Sequence, residues 1–287
     1  QNSALHWSSD HRIHHKFVDQ NDKDPYSAKK GFWFSHIGWM LRDYQRATYD
    51  NYDNCRDLQK NPIVMWQHKH YLILSILTNL GIPIVLGLYF NDVLGMLLTV
   101  GVLRLVLSHH CTFFINSLAH IWGKQPYTDR NTAKDNAFLA FLTYGEGYHN
   151  YHHIFEFDYR NGIRWFHFDP SKWFIKACSY VGLTKNLKIV PFDKIQAAKW
   201  KMQKFRTESK LLNLANGQEL LKSVEKEYEL LVDRLKQLVA AQKKYLLAKK
   251  QNAPKVTLEE LKTSYHQLKS QLADQQRLWQ QTLLKVA

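Results

Sequence analysis

Tyr71 to Phe90 reads YLILSILTNLGIPIVLGLYF, twenty positions without a charged side chain. At about 1.5 Å per helical residue such a run covers about 30 Å, the thickness of a bilayer's hydrocarbon core. It reads as a transmembrane helix in which Pro83, lacking an N–H, predicts a kink. Asn91-Asp92 separates it from a second apolar run, VLGMLLTVGVLRLVL from Val93 to Leu107. That run continues through Ser108-His109-His110-Cys111 to Thr112-Phe113-Phe114-Ile115, with Arg104 its only charge. So short a connection forces a tight hairpin whose outer ends lie on one side of the membrane. The flank Gln67-His68-Lys69-His70 is basic, and the positive-inside tendency puts those ends in the cytoplasm. The competing reading of the same runs is a pair of buried core helices in a soluble protein.

The rest of the 287 residues is more polar. With 45% hydrophobic and 22% charged residues the chain can build one or two domains and is too apolar for wholesale disorder. A net charge of +14 favours anionic partners such as phospholipid headgroups or a phosphorylated substrate. No helix-turn-helix, zinc-finger or RNA-binding signature accompanies the charge, so nucleic acid is not an expected partner. Cys55, Cys111 and Cys178 form no C-x-x-C pair, which argues against a disulfide scaffold and a thiolate zinc site and for a reducing compartment. The 15 His, beside 9 Trp, 15 Tyr and 15 Phe, suit metal ligation and anchoring at a membrane interface. The chain opens directly with Gln1-Asn2-Ser3-Ala4-Leu5-His6-Trp7, without initiator Met or signal-peptide pattern, and is expected to begin partway through something longer.

From about Trp200 the composition shifts to Lys, Glu, Gln and Leu. Leu221, Val224, Tyr228, Leu231, Leu235, Leu238, Gln242 and Tyr245 follow alternating steps of three and four, the spacing of a coiled-coil seam. Pro254 stops that helix, and Thr257-Leu258-Glu259-Glu260 predicts a capping-box start for another carrying Leu261, Tyr265, Leu268, Leu272 and Trp279. The tail is expected to be a helical hairpin or a dimerising coil, an interaction module rather than a catalytic one.

Histidines carry the chemistry. Asp10-His11-Arg12-Ile13-His14-His15 contains the spacing H-x-x-H-H. At about 100° per residue His14 lies at about −60° and His15 at about +40° from His11, so three imidazoles on one helix face are expected to converge on metal. The spacing returns as His149-Asn150-Tyr151-His152-His153, behind Gly145-Glu146-Gly147-Tyr148. Asn116-Ser117-Leu118-Ala119-His120 sets an amide and an imidazole one turn apart at the end of the second apolar run. Six or seven neutral imidazoles exceed the need of one tetrahedral zinc, so two ions are implied, with iron, zinc and copper all compatible. A polynuclear nitrogen site at the cytoplasmic face of a membrane hairpin suits oxygen activation on a lipid substrate, because acid-base side chains cannot remove hydrogen from an unactivated methylene. Zinc-assisted hydrolysis would need a carboxylate base, for which Glu146 is the nearby candidate. His36, on an apolar-aromatic face, reads as a hydrogen-bonded core residue.

DHRIHHKF, GFWFSHIGWML, NSLAH followed by WGKQPY, and GEGYHNYHHIFEFDYR together resemble the membrane-bound acyl-CoA desaturases of the stearoyl-CoA delta-nine type, from Gln1 to about Trp200. The resemblance implies an all-α fold: a membrane hairpin, a cytosolic helical cap carrying a dimetal site, and, outside the resemblance, the coiled-coil-like tail. In residues this is cap 1–70 with the first box, hairpin 71–115, catalytic cap 116–200 and tail 201–287. It implies two Fe2+ ions held by His11, His14, His15, His120, His149, His152 and His153, with Asn116 acting through a water. It further implies that Gln1, Trp7 and Thr112 pinch an acyl tunnel, that Asp10 contacts CoA, and that O2 and two electrons from a b-type cytochrome or a ferredoxin drive insertion of a cis double bond. Phe113 stands where the family often has Trp, and Ser9 where a basic residue is expected. An earlier H-x-x-x-x-H box of the family has no counterpart in the sequence, so a truncated portion of a desaturase is expected. The alternatives are a membrane di-iron lipid or alkane hydroxylase, and a non-catalytic remnant serving as a membrane scaffold.

Overall fold

The computed structural model describes residues 2–41, 51–212 and 217–286; Gln1 lies outside them. Among the described residues the chain is helical throughout, with no strand beyond isolated bridges joining Asp135 to Lys124 and to Tyr148. It forms two compact units, residues 1–125 with 129–189, and residues 126–128 with 190–287.

In the first unit, α1 (Ala4–Phe17) starts where the Ser3 hydroxyl accepts the His6 N–H. Asn61 caps α2 (Pro62–Lys69) by accepting from Ile63 and Val64 N–H. The hairpin follows as α3 (Tyr71–Tyr89) and α4 (Val93–Ile121). Only 11% and 6% of their apolar stretches are buried, which speaks against the soluble-core reading, since core helices would hide these side chains. Asn91 takes a left-handed conformation (φ 56°) and Asp92 caps α4 by accepting the Gly95 N–H at 2.8 Å. The turn packs on Gly87, where a Cβ would lie 2.5 Å from Val93 Cα.

Pro83 sits two residues beyond a π-helical turn, Leu77–Gly81, and a second one, Leu97–Leu103, lies in α4. Between them the helices approach closely: a Cβ on Gly101 would stand 3.2 Å from the Asn79 carbonyl oxygen. Arg104 donates to the Asn79 side-chain oxygen at 2.6 Å and to the Val100 carbonyl at 2.8 Å, so the charge inside the apolar run has a partner across the hairpin. The second helix runs past Ile115 to Ile121, carrying Asn116 and His120 with it.

The first unit continues with α5 (Ala137–Leu142), α6 (His149–Ile154) and α7 (Pro170–Tyr180). Asp169 caps α7 through the Lys172 N–H and also accepts the Asn161 and Gly162 N–H groups, all at 2.9 Å. The buried Lys172 ammonium donates to the carbonyls of Gly162, Arg164 and His167, at 2.7, 2.9 and 3.2 Å, which ties down the loop after α6. Phe32 to Leu41 is helical with a π turn at Phe34–Gly38, and His36 is buried with hydrogen bonds to Ser117 Oγ and His110 Nδ1, both 3.0 Å, as its apolar setting predicts.

The second unit packs α8 (Phe192–Leu211), α9 (Gly217–Lys250) and α10 (Lys255–Leu284) around Trp200, Leu211, Val224, Leu231, Leu235, Leu272 and Trp279. The seam predicted from Leu221 to Leu238 faces this core, whereas Gln242 is exposed. Trp279 Nε1 donates to Gln203 Oε1 at 2.8 Å, bringing α8 into the hairpin as a third member. The capping box at Thr257 is not used: α10 starts at Lys255, directly after Pro254, whose extended backbone (φ −54°, ψ 147°) occupies the cap position.

Candidate metal centre

Helices α1 and α6 each carry one H-x-x-H-H motif, and the seven predicted imidazoles gather between α1, α6 and the end of α4 in two groups. His11, His15 and His152 form one; His14, His120, His149 and His153 form the other, fully buried, and within each group the ligand atoms all lie within 4.8 Å of one another. The helix-face arithmetic expected the three histidines of a motif to share one ion. The structure divides them instead, because only positions four apart point the same way: the His11 and His15 ring centroids are 4.6 Å apart, against 6.2 Å for His11 and His14. Each i, i+4 pair therefore stays together, and the middle histidine of each motif joins the pair of the other.

In the three-histidine group the Nε2 atoms stand 3.2 Å (His11 to His152), 3.1 Å (His15 to His11) and 3.0 Å (His15 to His152) apart. Each such atom is either a donor or an acceptor, so whatever the tautomers, three atoms cannot form three donor–acceptor pairs. The centre of the triangle lies about 1.8 Å from each nitrogen, close to the about 2.0–2.1 Å of a metal–imidazole bond, and a cation satisfies all three lone pairs at once. In the larger group the Nε2 contacts run His14 to His153 at 3.3 Å, His153 to His149 at 3.1 Å and His149 to His120 at 3.0 Å.

The far sides of the His120 and His14 rings are held so that Nε2 carries the lone pair. Thr132 Oγ1 donates its only proton to Asp19 Oδ1 (2.7 Å), so at the 2.8 Å contact with His120 it can only accept the Nδ1 proton. Asp24 Oδ1 accepts from His14 Nδ1 at 2.8 Å. The Asn161 amide donates to Glu146 Oε1 at 2.7 Å. Glu146 is thus engaged by Asn161 and belongs to neither group of ligand atoms.

Burial, followed by the neighbouring imidazoles, holds His11, His14, His149 and His153 well below the usual histidine range, and burial with His15 brings His152 down to about 3. All five stay neutral at physiological pH, the form that ligates metal. Burial pushes the Asp24 and Glu146 carboxyls up to about 7. The donor set fits two ions bound by imidazole nitrogen.

The remaining predicted residues are more dispersed. Asn116 is half-buried on α4, one turn before His120. Trp7 stacks on the His11 ring at 4.5 Å while 54% exposed, Asp10 Oδ2 lies 3.4 Å from His6 Nε2, and Thr112 donates back to the Ser108 carbonyl at 2.9 Å on the exposed side of its helix. A cleft of about 440 Å³ lined by Trp7, Ser8, Arg12, Lys16 and Phe157 opens onto the three-histidine group. Sequence reasoning missed the supporting residues Asp19, Asp24 and Thr132, since their roles rest on contacts across the fold with no local spacing to betray them.

The family model described as Fatty acid desaturase matches residues 1–183. The chain is 45% identical over 197 residues to a probable acyl-CoA desaturase of Schizosaccharomyces pombe, a match covering 68% of this chain and 41% of that protein. It is 38% identical over 202 residues to an acyl-CoA Delta12-desaturase of Acheta domesticus (68% of this chain, 56% of that one), and 34% identical over 203 residues to stearoyl-CoA desaturase 5 of Bos taurus (69% and 60%). The chain therefore spans about two fifths to three fifths of the length of the curated relatives it matches.

Proposed function

The chain belongs to the fatty acid desaturase family, and from that premise we propose that it forms the metal-binding cap and part of the membrane region of an enzyme that inserts a cis double bond into a long-chain acyl-CoA. The observation that carries this reading is the interlocking of the two histidine motifs, seven imidazoles aimed at two common points beside the end of an apolar helix. Two iron ions at these groups, when bound, supply the oxygen activation that protein side chains lack. The reaction balances as R–CH2–CH2–R′ + O2 + 2 e⁻ + 2 H⁺ giving R–CH=CH–R′ + 2 H2O, so an external two-electron supply is required, which we assign to a b-type cytochrome or a ferredoxin.

The chain's own contribution is to hold and insulate. His11, His15 and His152 hold one ion, and His14, His120, His149 and His153 the other, with Asn116 acting through a water. Asp24 and the Thr132–Asp19 pair keep the Nδ1 protons of His14 and His120 in place, so those rings neither rotate nor offer a proton toward the metal side. Burial keeps bulk water from the larger group. Trp7, Thr112 and Gln1 shape the acyl path, Asp10 meets the CoA portion, and the cap faces the cytoplasm. The delta-nine carbon is the position implied by the resemblance.

The test is iron content and fatty-acid composition in cells lacking their own desaturase, expressing this chain alone and joined behind the upstream segment of the Schizosaccharomyces pombe relative. About two irons per chain and new monounsaturated acyl chains in the joined form support the reading. A hydroxylated product would mark the hydroxylase alternative, and neither iron nor product in either form would leave a membrane scaffold.

A further inference from the structure

The cap turns an unusual amount of aromatic surface outward at one place. On α5, Leu139 and Ala140 are buried while Phe138 and Phe141, three apart, are exposed. On α7 the buried Lys172 marks the inner side, and Trp173, Phe174, Ala177 and Tyr180 occupy the outer arc. The two faces are one surface, because Phe168 bridges them with ring centroids 4.9 Å from Phe141 and 5.6 Å from Trp173.

The patch continues into α4. Trp122, the residue immediately after the last helical position Ile121, lies 6.0 Å from Phe138 ring to ring. The end of a membrane-spanning helix marks the level of the lipid headgroups, so whatever touches Trp122 is held at that level. Cations accompany the aromatics: Lys134 Nζ donates to the Ile121 carbonyl at 2.7 Å, Lys176 Nζ sits 5.0 Å above the Tyr180 ring, and Lys124 is exposed nearby in the chain. Aromatic rings beside lysines, continuous with a lipid-facing helix, match the boundary between acyl chains and phosphates.

We propose that the face formed by Trp122, Phe138, Phe141, Trp173, Phe174 and Tyr180 lies in the headgroup region of the bilayer, so that the cap is fastened to the membrane by α5 and α7 as well as by the hairpin. The proposal rests on the reading of α3 and α4 as a membrane hairpin and is independent of the reaction.

The test places a fluorophore on single cysteines at Phe141, Phe174 and, within the hairpin, Leu88, in a background with Cys55, Cys111 and Cys178 changed to Ala. The proteins are reconstituted in phosphatidylcholine vesicles containing a lipid with a doxyl quencher high on its acyl chain. Labels at Phe141 and Phe174 are expected to be quenched several-fold more by the doxyl lipid than by aqueous iodide. Iodide quenching without lipid quenching, or shielding from both as by a covering protein segment, would overturn the proposal. Lipid quenching at Leu88 but not at Phe174 would overturn it while leaving the hairpin intact, whereas no lipid quenching at Leu88 would remove the hairpin and the proposal together. Iron content of the same samples reports separately on the metal-centre reading. Photolabelling of the unsubstituted chain with a diazirine lipid, mapped by mass spectrometry, checks the result without substitution: adducts within Pro170–Tyr180 support the proposal, and adducts restricted to α3 and α4 overturn it.

Discussion

His14 and His152 change places: each leaves the i, i+4 pair of its own motif and joins the pair of the other, so that His14 Nε2 stands 3.3 Å from His153 and His152 Nε2 stands 3.0 Å from His15. Neither motif is a complete site by itself. Each group of ligand atoms exists only when α1 and α6 are packed together.

Replacing one histidine should therefore affect one group at a time. His152→Ala is expected to lower bound metal by about one ion per chain by opening the three-histidine group, and His153→Ala to do so through the other group. Lys243→Ala, in the second unit, leaves metal content unchanged. Metal analysis of the purified variants decides; full metal content in His152→Ala would end the ligand assignment.

Thr132→Val keeps the shape of the side chain and removes both the acceptor for the His120 Nδ1 proton and the donor to Asp19. A loss of about 10–100-fold in metal affinity is expected, the usual scale for groups that orient a ligand. Competition against a chelator measures it, and Thr132→Ser, which retains the hydroxyl, should recover most of the loss.

The metal-free protein should lose stability as pH falls from about 6.5 toward 3. Five imidazoles, His11, His14, His149, His152 and His153, have folded-state pKa values depressed by burial, so below the ordinary value of about 6.5 the unfolded chain binds protons that the folded chain refuses. Asp24 and Glu146, raised to about 7, act oppositely between about 4 and 7, where the folded chain binds the extra proton. The five imidazoles outnumber these carboxyls and Asp10, which burial also raises, so the thermal midpoint should rise with pH across this window. A midpoint that is flat or falls from pH 4.5 to 6.5 would contradict the burial of these rings in the folded state.

Asn79→Leu leaves Arg104 only the Val100 carbonyl of its own helix and removes its partner across the hairpin, and is expected to destabilise the inserted hairpin by about 2–3 kcal/mol. The double change Asn79→Leu with Arg104→Leu removes the charge along with its partner and should restore insertion. Glycosylation-site mapping of the hairpin distinguishes the variants, and equal insertion of Asn79→Leu and the parent chain would show that the pair is dispensable.

What could be read from the sequence is what local spacing encodes. Tyr71 to Phe90 announces its helix by length and lack of charge, and the histidines announce metal by their number. Their division between two groups was not legible, because a motif's helical arc does not show which facing helix will supply the partner for His14. The start of α8 at Phe192 escaped for a related reason: the composition changes only near Trp200, yet the helix extends upstream of that change, and its Trp200 and Leu211 belong to the core of the second unit. At Pro254 a rigid residue outcompeted the Thr257 signal three positions later, since a proline needs no N–H at a helix start.

His11 and His152 are 141 positions apart, and His14 and His153 are 139 apart, with the whole membrane hairpin between them. An ion held across each pair acts as a reversible cross-link closing a very long loop, and in the chain-entropy picture a loop of about 100 residues removes about 4.7 kcal/mol of freedom from the unfolded chain. Such a loop closes only if both histidine motifs reach the same aqueous compartment, which demands an even number of crossings between them. A chain in which just one of the two apolar helices had crossed the bilayer would keep α1 and α6 apart on opposite faces. Metal capture would thus select against molecules in which only one of the two apolar helices has crossed.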